Sequence, residues 1–212
     1  MRSLIVIGAL ALGILSAVTP AHAAGVRMFV RHEVSDYAAW RKSYDSFGAT
    51  QKKLGVSFQA VYQSTDDPND VTVVHDFKSL QKARAFVTSE ELKAAMQQSG
   101  VKGAPTIWYT RMTAGASGKV GHVRMFVRHE VADYAAWRKS YDAFGSTQKK
   151  LGVSAQAVYQ STDNPNDVTA THDFASVEKA KAFAASAELK SAMEGAGVKG
   201  APQIWFTTRA AK

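Results

Sequence analysis

The string VRMFVRHEV-x-DYAAWRKSYD occurs twice in the chain, beginning at Val26 and again at Val123. Val26–Met112 and Val123–Arg209 align without a gap, and 65 of the 87 positions are identical. Such a chain folds as two copies of one module, each of fewer than 100 residues. A module that small buries a modest core, so packing against its twin adds apolar burial that neither copy reaches alone.

Charge and cysteine content narrow the function. The formal charge is +8, but no run of five like charges occurs; the only doubled lysines are Lys52-Lys53 and Lys149-Lys150. That pattern describes a solvated basic surface and not a nucleic-acid footprint. The chain has no cysteine, which removes disulfides, thiolate chemistry and cysteine-based metal sites. At the N-terminus Met1-Arg2 precedes an apolar run, Leu4–Val18, followed by Ala21-His22-Ala23, the small-x-small form that a signal peptidase cleaves. As a helix that run covers about 22 Å, short of the ~30 Å hydrocarbon core of a bilayer. The expectation is cleavage after residue 23, leaving a soluble, periplasmic or secreted chain with no stable membrane anchor.

Within one module, Val26–Val34 reads as a strand. Asp36 caps a helix in which Tyr37, Trp40, Tyr44, Phe47 and Leu54 recur at helical spacing, and Gly55 stops it. Val56–Ser64 and Val71–Phe77 read as strands joined by the turn-forming Asp66–Asp70. Ser79 caps a second helix, which restarts at Ser89 and ends at Gly100. Gly103-Ala104-Pro105 reads as a turn before a last strand, Thr106–Met112. The order β-α-β-β-α-β predicts an α+β, ferredoxin-like module with both helices on one sheet face. The bare face calls for a partner, and the twin is the intrachain candidate. Residues 24–112 and 123–212 are then the modules, with the glycine-rich 113–122 as a flexible linker.

The V-x-DY-x-x-W-x-x-x-YD pattern at Val34–Asp45, with Asp66–Val71 and the HDF of His75–Phe77, resembles the dimeric α+β barrel superfamily, particularly the antibiotic-biosynthesis-monooxygenase-like proteins and their uncharacterised relatives. The resemblance covers both repeats and implies a fused dimer in which two sheets pack face to face. It spans several chemistries, among them cofactor-independent oxygenases, haem-degrading enzymes, haem peroxidases and isomerase-like proteins. The haem-degrading members use a first-strand asparagine, and Val26–Val34 has none. No cofactor is expected.

Candidate site residues follow from strand alternation. His32 and His75, with twins His129 and His172, titrate nearest neutral pH. Neighbouring residues point to opposite faces, so His75 does not pair with Asp76. Centre-to-centre strand pairing leaves His32 and His75 about three residues, or ~10 Å, out of step, too far to share a metal. No metal site is expected, and Asp66–Asp70 lacks the glutamate-terminated loop of an EF-hand. Val71, Val73, His75 and Phe77 belong under the helices; Thr72, Val74 and Asp76 face the barrel. Arg27, Phe29, Arg31 and Glu33 face the barrel too, where Arg31 either pairs with Glu33 or receives a ligand carboxylate or enolate oxygen. Trp108 and Tyr109 alternate, so one lies under the helices and the other in the barrel. For the polar roles that the resemblance to cofactor-independent oxygenases implies, Arg31, Tyr62 and Trp108, with twins Arg128, Tyr159 and Trp205, are the candidate ligand-binding residues in an inter-sheet cavity. Three functions fit: a cofactor-independent oxygenase acting on a small hydrophobic or aromatic compound, a non-catalytic carrier of such a compound, or an interaction module whose barrel is filled by its own side chains. Phe58, which is Ala155 in the twin, affects cavity volume only if it faces the barrel.

Overall fold

The computed structural model describes residues 25–210. The expected leader, residues 1–23, lies outside them. The first module contains β1 (Val26–Val34), α1 (Tyr37–Ser46), α2 (Gly48–Lys53), β2 (Phe58–Ser64), β3 (Asp70–Phe77), α3 (Leu80–Val87), α4 (Glu90–Gln98) and β4 (Val101–Gly118). The second repeats them as β5 (Val123–Val131), α5 (Tyr134–Ala143), α6 (Gly145–Lys150), β6 (Ala155–Ser161), β7 (Asp167–Phe174), α7 (Val177–Ala184), α8 (Ala187–Gly195) and β8 (Val198–Arg209). All pairings are antiparallel, and the strands close into one barrel in the order β1-β3-β2-β8-β5-β7-β6-β4. The modules join at two seams, β4 with β6 and β2 with β8. No described helix is long and apolar enough to cross a membrane.

Local chemistry explains the elements. Asp36 accepts the Ala39 N–H at 2.7 Å and opens α1. The helix expected to run on to Leu54 kinks at Phe47, whose ψ of −8° departs from the helical value before Gly48. Hydrogen bonding continues across the kink, since Gln51 N–H donates to the Phe47 carbonyl. Gly55, at φ +100°, ends α2 in the left-handed region. Ser79 and Ser89 cap α3 and α4 as the sequence predicts.

Two expectations at the end of the module are corrected. Gly103-Ala104-Pro105 is not a turn but lies within β4, where the pairing with β1 shifts between Arg31 and Glu33. Three residues of β4 are accommodated opposite His32, and Gly103 takes a positive φ of +63° to do so. The expected flexible linker is largely strand as well: β4 continues to Gly118 and pairs with β6 as far as Ala155. Only residues 119–122 remain between β4 and β5. At the end of this stretch Gly118 serves because it fits a close strand approach. A Cβ on Gly118 would lie 2.1 Å from the Ser154 carbonyl oxygen.

Candidate functional site: a helix-covered cavity beside a filled barrel

The barrel interior is occupied by its own side chains. Phe29, Tyr62, Trp108, Phe126, Tyr159 and Trp205 form one buried cluster, with Phe29 stacked on Trp108 and Phe126 on Trp205. The Trp108 indole N–H donates to Thr169 Oγ1 and that of Trp205 to Thr72 Oγ1, both at 2.9 Å. Each bond crosses between modules.

Arginines close both ends. Arg27 grips Asp76 through two hydrogen bonds of 2.6 Å and donates to the Tyr159 hydroxyl at 2.7 Å. Burial is the largest single influence on Arg27 and disfavours its charge, but the hydrogen bonds and charge attraction of Asp76 and Tyr159 together outweigh it and the pKa is raised. Arg124 repeats this with Asp173 and Tyr62. Arg31 lies over the Trp205 ring and Arg128 over that of Trp108. The structure thus brings Arg31, Tyr62, Trp108, Arg128, Tyr159 and Trp205 together inside the barrel, where each is engaged by another residue of the chain. The expected partner of Arg31 is corrected: it pairs with Asp70 at 2.6 Å across the sheet, and Glu33 is exposed. Same-face parity put Glu33 in range, but the ladder puts Asp70 opposite Glu33 and diagonal to Arg31, where a bidentate fork reaches it.

The apolar cavity lies on the other face of the sheet, beneath the helices. In the first module it encloses about 70 Å³ among Met28, Val30, Trp40, Phe86, Leu92 and Met96. His32 and His75 stand in its wall. Met28 pairs with His75 and His32 with Val71, so the histidines are four residues out of step, about 13 Å along the strands. That is one step further than the sequence predicts, and again beyond a shared metal. Among the described residues no three His, Asp or Glu side chains are grouped to hold a metal ion.

His75 is held by Tyr44, and its tautomer follows from which partner takes the hydroxyl proton. The Tyr44 hydroxyl donates to Gln59 Oε1 at 3.1 Å and lies 2.8 Å from His75 Nε2. In the tautomer where the hydroxyl proton goes to Gln59, Nε2 carries a proton and donates to the Tyr44 oxygen. Nδ1 is buried without a protein partner, and in that tautomer it is a bare lone pair. Both ring nitrogens of His32 and Oε1 of Gln51 are also buried without one. Desolvation drives the His75 pKa down to about 3 and that of His32 to about 4, so both rings are neutral. Burial likewise raises the Tyr44 pKa. The second module repeats the group as Tyr141, Gln156, His172 and His129, around a cavity of about 40 Å³. There Ser99 is replaced by Ala196 and Val73 by Ala170, and Leu189 of α8 is buried, whereas α4 buries no residue completely.

Sequence reasoning placed His75 under the helices but did not find the cavity. The one available clue was a titratable residue at the parity of the apolar core positions. Phe58 and Ala155 fall on the barrel-facing parity, at its mouth, as Asp76 and Asp173 are their cross-strand partners.

Several solved structures share this architecture. An anthrone oxidase-like protein superposes with a TM-score of 0.65 at 13% identity, covering 89% of this chain and 92% of its own. A candidate monooxygenase from Fusobacterium nucleatum gives 0.63 at 9% identity, covering 89% and 93%. A ferredoxin-fold protein from Listeria monocytogenes, related to antibiotic biosynthesis monooxygenases, gives 0.52 at 8% identity, covering 90% and 98%. The chain has their fold. No sequence-family model matches it, and no curated protein does. Identities this low speak to architecture alone, and chemistry must be argued from the residues.

Proposed function

We propose that the protein takes a small hydroxylated aromatic compound into the helix-covered cavity of its first module and acts on it in the manner of a monooxygenase. The observation that carries this reading is Nδ1 of His75, buried in an apolar wall without a protein partner and a bare acceptor in the tautomer that gives the Tyr44 proton to Gln59. An unpaired buried acceptor costs about 1–3 kcal/mol, and a ligand hydroxyl would recover it. The monooxygenase and anthrone oxidase-like names of the fold neighbours support an aromatic, oxygen-reactive substrate. A compound with a CH₂ between aromatic rings needs no external reductant. Two C–H bonds and the O=O bond break, and a carbonyl and one water form. His75 would take the first proton, its basicity restored as negative charge develops on the substrate beside it.

Size sets a condition on this reading. Benzene is held by a cavity of about 150 Å³, so α4 must move outward on binding, which its shallow burial favours. The filled barrel supports a second reading, an interaction module without a small-molecule ligand. Export follows from the leader-like residues 1–23, and N-terminal sequencing of the mature protein is expected to begin at Ala24; a chain beginning at Met1 would overturn it.

The test combines native mass spectrometry with oxygen uptake, using anthrone-type probes. One adduct per chain and uptake that is lost in His75→Gln but kept in His172→Gln are expected. An adduct without uptake would select the carrier reading. Neither adduct nor uptake, or equal loss in both variants, would sink the cavity as the site.

A further inference from the structure

The charged residues of the two modules separate along the barrel axis. In a closed ring of antiparallel strands, β1 and β5 stand four steps apart and so run in the same direction. Their starts share one end of the barrel, and β3 and β7 finish beside them, with Val26 opposite Phe77 and Val123 opposite Phe174. The segment after α2 reaches the same end, since Ser57 N–H donates to the Asp76 carbonyl. Here Lys52 and Lys53 close α2 beside Lys82 of α3: a Cβ on Gly55 would meet the Lys82 side chain at 3.5 Å. The second module repeats the group as Lys149, Lys150 and Lys179 about Gly152. All six are exposed, and none forms an ion pair with a described residue.

Lys78, beside Arg27, and Arg209, beside Lys52, add to this end. Glu178 opposes them, but Asp76 and Asp173 are already taken by Arg27 and Arg124. The opposite end is acidic, with Glu33, Asp36 and Asp67 exposed in the first module and Glu130 and Asp133 in the second. Residues 1–24, 211 and 212 contain no Asp or Glu, so no acidic side chain outside the described residues can neutralise the basic end. Apolar side chains stand among its cations: Met112 shares a cleft with Arg27 and Lys78 and is 38% exposed, and Val120, next to Lys119, is 62% exposed. The apolar run Leu4–Val18 joins the barrel at this end too, because six residues, at most about 25 Å of extended chain, separate Val18 from Gly25.

We propose that the basic end of the barrel docks reversibly on the anionic phospholipid headgroups of a membrane surface, with the lysines among the phosphates and Met112 and Val120 at the acyl boundary. A lipid surface accepts both kinds of side chain, whereas a soluble polyanion would leave the apolar pair in water. Each lysine held near such a surface is worth about fivefold in binding, and the attraction fades within a Debye length of about 10 Å. The acidic far end turns the molecule so that this end faces the bilayer. Lysines that are scattered in the sequence thus form, in the fold, the basic cluster that no single run supplies. This inference is independent of the cavity beneath the helices.

The test uses the chain from residue 24 onward and vesicles of phosphatidylcholine, either pure or mixed with phosphatidylglycerol. Co-sedimentation with the mixed vesicles alone, reversed by high salt, is expected. Lys52→Gln, Lys53→Gln, Lys149→Gln and Lys150→Gln combined should weaken it at least about tenfold. Lys93→Gln, Lys102→Gln, Lys190→Gln and Lys199→Gln combined remove the same charge away from this end and should change it less than about twofold. Should the lysine variants fold poorly, orientation decides. The chain has no cysteine, so Val120→Cys or Asp67→Cys carries a single environment-sensitive dye, and only the dye at position 120 should respond to mixed vesicles. No binding, equal binding to both kinds of vesicle, equal loss in the two lysine sets or equal dye responses would overturn the proposal. Binding to soluble polyphosphate without binding to vesicles would also overturn it, with a soluble polymer as the partner.

Discussion

Individual residues show how burial decides chemistry here. His75 and His172 have pKa values near 3, and His32 and His129 near 4, against 6.5 when solvated. The unfolded chain therefore binds protons that the folded chain refuses as pH falls below 6.5. Stability is complete above that pH and declines through pH 6.5 to 4, continuing until the deeper pair titrates near 3. Each ring contributes a slope of at most about 1.4 kcal/mol per pH unit. Urea midpoints measured between pH 7.5 and 4.5 should fall accordingly, and less so in a His32→Phe, His129→Phe double variant; parallel curves would contradict the assignment. The arginine pairs give a second contrast. Removing Arg124 strands a carboxylate at Asp173 that is 2% exposed, so Arg124→Met should cost about 3–5 kcal/mol. Arg27→Met should cost less, because Asp76 keeps access to water; equal losses in denaturant unfolding would refute this. Strand parity made the barrel-facing positions of Arg31, Thr72 and Asp76 readable from sequence, but for Trp108 and Tyr109 it gave only that one of the two faces in. It did not reveal the partner of Arg31, because an antiparallel diagonal depends on a register that one strand does not encode.

At the scale of elements, the strands and caps were legible, and the departures occur where small residues have two uses. Gly103-Ala104-Pro105 and Thr113–Gly118 carry the composition of a turn and a linker, yet both lie within β4. Composition reports what backbone is permitted; the β6 edge opposite decides that the permitted backbone is strand. Gly118 is where the two meet, at φ +99° and against the Ser154 carbonyl. Gly118→Ala should therefore detach the end of β4, lowering stability by about 1–3 kcal/mol and speeding amide exchange at Gln156. An unchanged exchange rate there would show that the approach is not tight. The helix-covered cavity was illegible for a different reason: it depends on how far α4 stands from the sheet, a distance that neither element specifies alone.

For the whole molecule, the repeat made two paired modules readable, but not whether the barrel between them was empty or filled, since its volume is a sum over side chains from both copies. The structure shows it filled, with Trp108 and Trp205 each bonded to a threonine of the other module. Cleavage within residues 119–122 should then leave two fragments that stay together in gel filtration and separate only on unfolding; fragments that elute as lone folded monomers would contradict the interlocked core. The crossed tryptophans have a consequence for how such a chain can vary. The barrel-facing Phe29, Tyr62 and Trp108 are unchanged in the twin and only Val74 of their cluster is replaced, by Thr171, while the helix-covered wall differs at Val73, Val87 and Ser99. Each copy is the other's template in the shared interior, so a substitution there must be accepted by both halves at once. The outer walls are free to diverge, and it is there that one ancestral module can acquire two distinct specificities within a single chain.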